Sequence, residues 1–261
     1  MKLIMMVAAH KPYWMPGDGA YLPLYVGAAG KETPIPGWQR DDEGEHISRK
    51  NPTYCELTGH YWLWKNAQAD AYGLCHYRRH FAKGLPFGSK RQQVLSGATL
   101  EKRLRGCDVL VPKKRCYYIE TNYSQYAHAH HAADLDTTRQ ILSEMCPEYL
   151  PHWDRSMAAR SGHRFNMFVM RKEHFYSYSA WLFGILEALE ARLDLSGYSD
   201  YDRRVFGFVA ERLLDVWLAG QGLKVRECRV VHLERQHWFK KIASFLERRQ
   251  RGRARELEEN A

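Results

Sequence analysis

The chain has 261 residues, of which 45% are hydrophobic and 13% aromatic, enough to bury a substantial core in one large domain or two small ones. Its formal net charge of +9 asks for an anionic partner, but no zinc-finger spacing or RNA-recognition signature accompanies the basic residues, so nucleic acid is not the expected one. Six scattered cysteines without a CxxC pair favour a reducing cytoplasm over a disulfide framework.

In chain order, residues 2–9 read as a buried strand. Their apolar run, about seven residues long, leads into His-Lys-Pro and not into the small residues of a signal-peptide cleavage site. No stretch approaches the roughly 18 to 20 apolar residues that span a bilayer. A Pro/Gly-rich loop fills 12–44. Residues 53–66 then have helical spacing, with Tyr54, Leu57, Tyr61 and Trp64 on one face and Thr53 with Glu56 as a capping box. Next comes YGLCHYRRHF, residues 72–81. As a strand it would put His76, Arg78 and His80 on one face and Tyr77, Arg79 and Phe81 on the other, an ending suited to an anion. A loop to about residue 97, a short helix from 99 and a strand at 107–111 follow.

The second half reads as helices at 124–132 and 137–145, a buried strand at 165–170, helices at 172–193 and 201–219, and a strand at 224–230. Strands separated by helices predict an α/β fold with a mostly parallel central sheet flanked by helices. In such sheets the ligand sits beyond the carboxyl ends of the strands. That rule puts His10 with Lys11, residues 76–79 and residues 113–115 at one rim. We expect one domain over 1–234 and a basic tail over 235–261. In the tail, Trp238, Ile242, Phe245 and Leu246 form a stripe beside Lys240, Lys241, Arg248 and Arg249. This is the pattern of an interfacial helix drawn to an anionic membrane surface, or of a helix docked on the core.

The runs ISRKNPTYCELTGHYWLWKN, YGLCHYRRHF, CDVLVPKK, FNMFVMRKEHFYSYSAWLFGIL and GFVAERLL resemble the bacterial family designated domain of unknown function 4422, over about residues 2–234. Members of that family are assigned as capsular and exopolysaccharide glycosyltransferases. The resemblance implies a GT-A-like nucleotide-sugar fold. It also implies transfer of a sugar, galactofuranose or galactose, from a UDP donor to a glycan or lipid-linked oligosaccharide acceptor. Localisation would be cytoplasmic, peripheral on the inner membrane face. Many GT-A enzymes carry Asp-x-Asp for a divalent metal, Mn or Mg, on the diphosphate; this chain has His76-Tyr77-Arg78-Arg79 in the corresponding place. Fixed guanidinium groups can neutralise a leaving diphosphate as a metal does.

On that reading the donor-binding candidates are His10, Lys11, Asn66, His76, Tyr77, Arg78 and Arg79, although a helix-ending asparagine also serves as a C-cap. Tyr126, His130 and Asp134 recur every four residues and would share a helical face. With His128 and His131 that face is an acceptor or catalytic surface, a metal site, or a plain amphipathic face in which His130 pairs with Asp134. Transfer with inversion needs a base for the acceptor hydroxyl, and Asp134, Asp202, Glu211 and His130 are the candidates. Asp202 follows Ser199 at capping distance; Glu211 lies in an apolar run and needs Arg212 or Arg204 as partner. Asn166 and Tyr126 are acceptor candidates. The alternatives are a catalytically silent glycan- or lipid-binding module and, from charge alone, a nucleic-acid-binding protein.

Overall fold

A computed structural model describes residues 1–234; the basic stretch from 235, and the interfacial-helix reading placed on it, lie outside the described residues. The first half contains β1 (Leu3–Ala9), β2 (Tyr21–Tyr25), β3 (Gln39–Arg40), α1 (Asn51–Tyr54), α2 (Leu57–Asn66), β4 (Ala71–His76), β5 (Arg79–Phe81), α3 (Gly97–Leu104), β6 (Val109–Pro112) and β7 (Arg115–Cys116). The second contains α4 (Asn122–Ala129), α5 (Ala132–Met145), α6 (Leu150–Ala158), β8 (Ser161–Gly162), β9 (Phe168–Arg171), α7 (Lys172–Glu190), α8 (Val205–Gln221), β10 (Val225–Cys228) and β11 (Val230–His232).

The main sheet runs β10-β6-β9-β4-β1-β2-β3. Neighbours pair in parallel except β9, which is antiparallel to both β4 and β6. The α/β, mostly parallel architecture is therefore as the strand-helix alternation implies. Alternation along β1 divides the core: Met6 and Ala8 face the layer built from α2, α7 and α8, whereas Met5, Val7 and Ala9 face α3. Helix α2 lies close on the sheet because Gly59 has no side chain; a Cβ there would come within 2.8 Å of Leu24 and 2.9 Å of Val26. Among the described residues no helix is long and apolar enough to cross a membrane.

Four local expectations change. The 12–44 loop contains β2 and β3, because Tyr21, Leu24 and Tyr25 bury against β1 in parallel register. The 53–66 helix is two pieces: Cys55 has φ of 53° and ends α1, the Thr53 hydroxyl donates to the Lys50 carbonyl, and Glu56 makes no capping bond. The 72–81 run is a hairpin and not one strand. His76 pairs across it with Arg79, and His80 turns into the core beside Cys75. Finally, His130 and His131 are extended and separate α4 from α5, so the 126–134 face is not one helix.

Two buried histidines should contribute to the acid sensitivity of this fold. His60 sits among Phe168, Phe175, Tyr178 and Phe183, with ring centroids 5.2 to 5.8 Å away, and its Nε2–H meets Ser179 Oγ at 2.8 Å. Burial pushes its pKa down to about 3, and that of His80 down to about 4, from 6.5. A histidine with a depressed folded value binds fewer protons folded than unfolded. Its contribution is whole above pH 6.5 and is lost as pH falls toward the folded value, at on the order of 1 kcal/mol per pH unit for each ring. Thermal melts should show Tm falling from pH 6.5 toward 4, with a shallower slope in His60→Phe. An unchanged slope in that variant would remove His60 from the account.

Candidate active site

The carboxyl ends of β1 and β4, the β4–β5 turn, the Phe165 kink and the first two turns of α8 enclose a cavity of about 610 Å³. Sites for small ligands span roughly 300–1,000 Å³. Six arginines line it, Arg78, Arg79, Arg115, Arg164, Arg204 and Arg212, against two carboxylates, Glu56 and Glu211. Such a wall attracts an anion.

The arginines differ in what they already hold. Arg164 is committed to Tyr117, Asn122 and the His163 carbonyl, and Arg212 to the Phe208 carbonyl, Glu211 and Gln125. Arg78 is 42% exposed and meets Glu234 at 3.2 Å. Arg79 is different: its guanidinium lies 4.5 Å over the Phe165 ring, and its buried Nε, like the Nε of Arg212, has no partner among the described residues. Burial, followed by the Arg78 charge, pulls the Arg79 pKa below its ordinary 12.5. An anion bound beside Arg79 would restore its hydrogen bonds and its charge balance.

Phe165 and Asn166, with φ of 80° and 49°, both occupy the left-handed region, which costs on the order of 1–3 kcal/mol per residue. What this kink supports is the acid-base cluster. The Phe165 N–H donates to Glu211 Oε1 at 3.1 Å, and its carbonyl accepts from His76 Nε2–H at 2.6 Å. Asn166 Nδ2 donates to Glu56 Oε1 at 2.7 Å and to the Gly207 carbonyl at 3.0 Å. His76 Nε2 is 3.9 Å from Glu56 Oε1, and burial, the leading influence, lowers the histidine pKa and keeps the ring neutral at neutral pH. One short strained segment thus holds two carboxylates and an imidazole at the same wall.

Of the residues singled out from sequence, His10, His76, Tyr77, Arg78, Arg79, His130 and Glu211 line the cavity together. The others fall elsewhere. Asp134 is 1% exposed and accepts hydrogen bonds from the Tyr126 and Tyr198 hydroxyls, so both Asp134 and Tyr126 belong to the helical core. Asp202 stands behind His130, 3.0 Å from its Nδ1, and also accepts from Ser199. Asn66 ends α2, the helix whose opposite end adjoins Glu56, and ties down the Glu45 backbone. Lys11 is exposed above the Tyr77 ring, and Asn166 works through Glu56 without lining the cavity.

Sequence reading assigned Glu56 to helix capping and gave no site role to Arg164, Tyr117, Tyr201 or Phe208, all of which line the cavity. The signal for Arg164 was a basic residue entering an apolar strand, and for Arg204 an arginine one helical turn before Phe208. The histidines around 130 diverge: His128 meets Glu120 at 2.7 Å, His130 meets Asp202, and His131 stacks on Tyr198 at 4.0 Å. Among the described residues no three His, Cys, Asp or Glu side chains come together as a metal site. The donor set at the cavity does not fit a resident divalent cation, because guanidinium groups outnumber its carboxylates.

Comparison with known proteins places the chain in a family. The apo structure of a bifunctional glycosyltransferase, WbbM, matches with a TM-score of 0.83 and 32% sequence identity over 90% of this chain. The chain spans 46% of that protein, about half its length. No curated protein matches the chain. Residues 4–222 match the family model for the domain of unknown function DUF4422, and the chain belongs to that family.

Proposed function

We propose that this protein is a glycosyltransferase that moves a sugar from a nucleoside diphosphate donor to a hydroxyl of a glycan or lipid-linked acceptor. The observation that carries this reading is the convergence of six arginines, two of them, Arg79 and Arg212, with an unsatisfied buried Nε–H, on a cavity at the carboxyl ends of the strands. UDP is the proposed nucleotide and galactofuranose or galactose the proposed sugar, with surface polysaccharide synthesis at the inner membrane face as the setting.

In the transfer step the bond from the anomeric carbon to the β-phosphate oxygen breaks and the bond to the acceptor oxygen forms. The diphosphate leaves with the electron pair, and Arg79 and Arg78 offset its charge. The acceptor proton passes to a carboxylate, for which Glu56 is the better placed. Its Oε1 is fixed by Asn166 and no hydrogen bond occupies Oε2 among the described residues, whereas Glu211 has both oxygens engaged. His130 stacked at 4.3 Å on Phe208 and 5.6 Å from Tyr201 forms an aromatic shelf on which a sugar ring can lie.

Calorimetry with UDP, with manganese and then with chelator, tests the donor site. Equal binding under both conditions is the expected result. A strict need for manganese would overturn the assignment of the diphosphate charge to arginines, and no binding under either condition would overturn UDP as the donor nucleotide.

A further inference from the structure

Every residue from 83 to 92, KGLPFGSKRQ, is exposed. This segment lies within the loop closed by the antiparallel Ala82–Val94 bridge and carries Lys83, Lys90 and Arg91 with no acidic residue. At its tip, Leu85 is 66% exposed and Phe87 76%, with Pro86 between them. Two large apolar side chains displayed this fully, one residue apart on one exposed segment, form a candidate contact surface. A tip of Leu and Phe over a cationic base has the chemistry of a bilayer interface, where rings enter the headgroup region and lysines meet anionic lipid.

The base is held in place. Arg229 bridges Gln93 Oε1 at 2.9 Å and the Lys83 carbonyl at 3.2 Å, Gln93 Nε2 donates to the Gly88 carbonyl at 3.1 Å, and Arg91 lies 5.3 Å over the Trp14 ring. Gly88, with φ of 77°, turns the chain back from the tip. The apolar tip is therefore presented by a braced hairpin.

Position supplies the choice of partner. Lys90 Nζ donates to the carbonyls of Leu233 and Glu234, the last described residues before the basic stretch that begins at 235. The carboxylate of the same Glu234 holds Arg78 at the cavity rim. The base of the exposed segment, the last described residues and the cavity rim are thus joined through Lys90, Glu234 and Arg78.

We propose that the 83–92 hairpin is a membrane-docking element that inserts Leu85 and Phe87 into an anionic phospholipid bilayer, with Lys83 and Arg91 facing the headgroups. Docking there sets the cavity rim at the bilayer surface, where the head of a lipid-linked acceptor lies. The docking itself stands independently of the transferase reading.

The test is co-sedimentation of the full chain with vesicles of phosphatidylethanolamine and phosphatidylglycerol, and with vesicles of phosphatidylcholine alone. The wild type should partition onto the anionic vesicles, less so in high salt. The double variant Leu85→Ser/Phe87→Ser should lose roughly tenfold or more of that partitioning, with UDP affinity unchanged. Lys83→Glu should weaken partitioning onto the anionic vesicles only. Unchanged partitioning in the double variant would overturn the proposal and leave the 235–261 stretch as the lipid-binding element. Self-association abolished by the double variant, with no vesicle binding by the wild type, would overturn it in favour of a second copy of the chain. UDP calorimetry on the same preparations keeps failure of the hairpin distinct from failure of the donor site.

Discussion

Arg79→Ala should weaken UDP binding by roughly 10- to 100-fold, the worth of about 1.5–3 kcal/mol for hydrogen bonds to a charged group. Its guanidinium is half-buried, its Nε lacks a partner, and the neighbouring Arg78 charge opposes it, so its free state is unfavourable in a way that a diphosphate corrects. The fold should tolerate the change. Removing one cation from a cavity lined by six arginines relieves repulsion, which offsets the lost contact with the Phe165 ring. Tm should therefore move by no more than about 3 °C. Arg78→Ala is the internal comparison. An exposed side chain already paired with Glu234 contributes little, and its loss should cost less than about fivefold in affinity. Isothermal calorimetry on both variants decides the matter; equal affinities for wild type and Arg79→Ala would sink the clamp.

That contrast between adjacent arginines also marks what a sequence can convey. The HYRR run declared an anion site because two arginines and two histidines follow an apolar strand, and three of those four side chains line the cavity. It could not reveal that Tyr77 and Arg78 form a turn, which places Arg79 on the face of His76 and buries His80. Continuous apolar runs marked β1, β4 and β6, which are buried nearly throughout, and helical periodicity marked α7 and α8. Both missed β2, a short run among prolines and glycines that becomes a strand only because β1 offers it a parallel edge. Periodicity also carried a helical face through residues 126–134, where the Asp202 carboxylate and Tyr201 ring draw His130 out of the helix. Arg204 and Arg212 read only as partners for Glu211, and Arg164 carried no reading, because only tertiary packing turns them toward a common space.

Glu56 is the sharpest case of a residue whose role depends on its neighbours, and Glu56→Gln should lower the transfer rate by roughly 10²- to 10⁴-fold, the usual worth of a positioned general base. Glutamine keeps an oxygen for the Asn166 amide, so the segment at Phe165 and Asn166 should hold its shape, and UDP affinity should stay within about twofold. Such a split, rate lost and donor binding kept, is the signature of a group that acts on the acceptor proton and not on the diphosphate. Glu211 provides the competing candidate. Its carboxylate accepts from the Phe165 N–H and pairs with the buried Arg212, so Glu211→Gln leaves Arg212 uncompensated and should lower Tm by several degrees along with activity. Asn166→Ala separates the two further. It frees Glu56 from its anchor while leaving Glu211 bonded to the Phe165 backbone, and should reduce the rate by a smaller factor than Glu56→Gln. Full activity in Glu56→Gln together with a stable, inactive Glu211→Gln would transfer the role of base to Glu211.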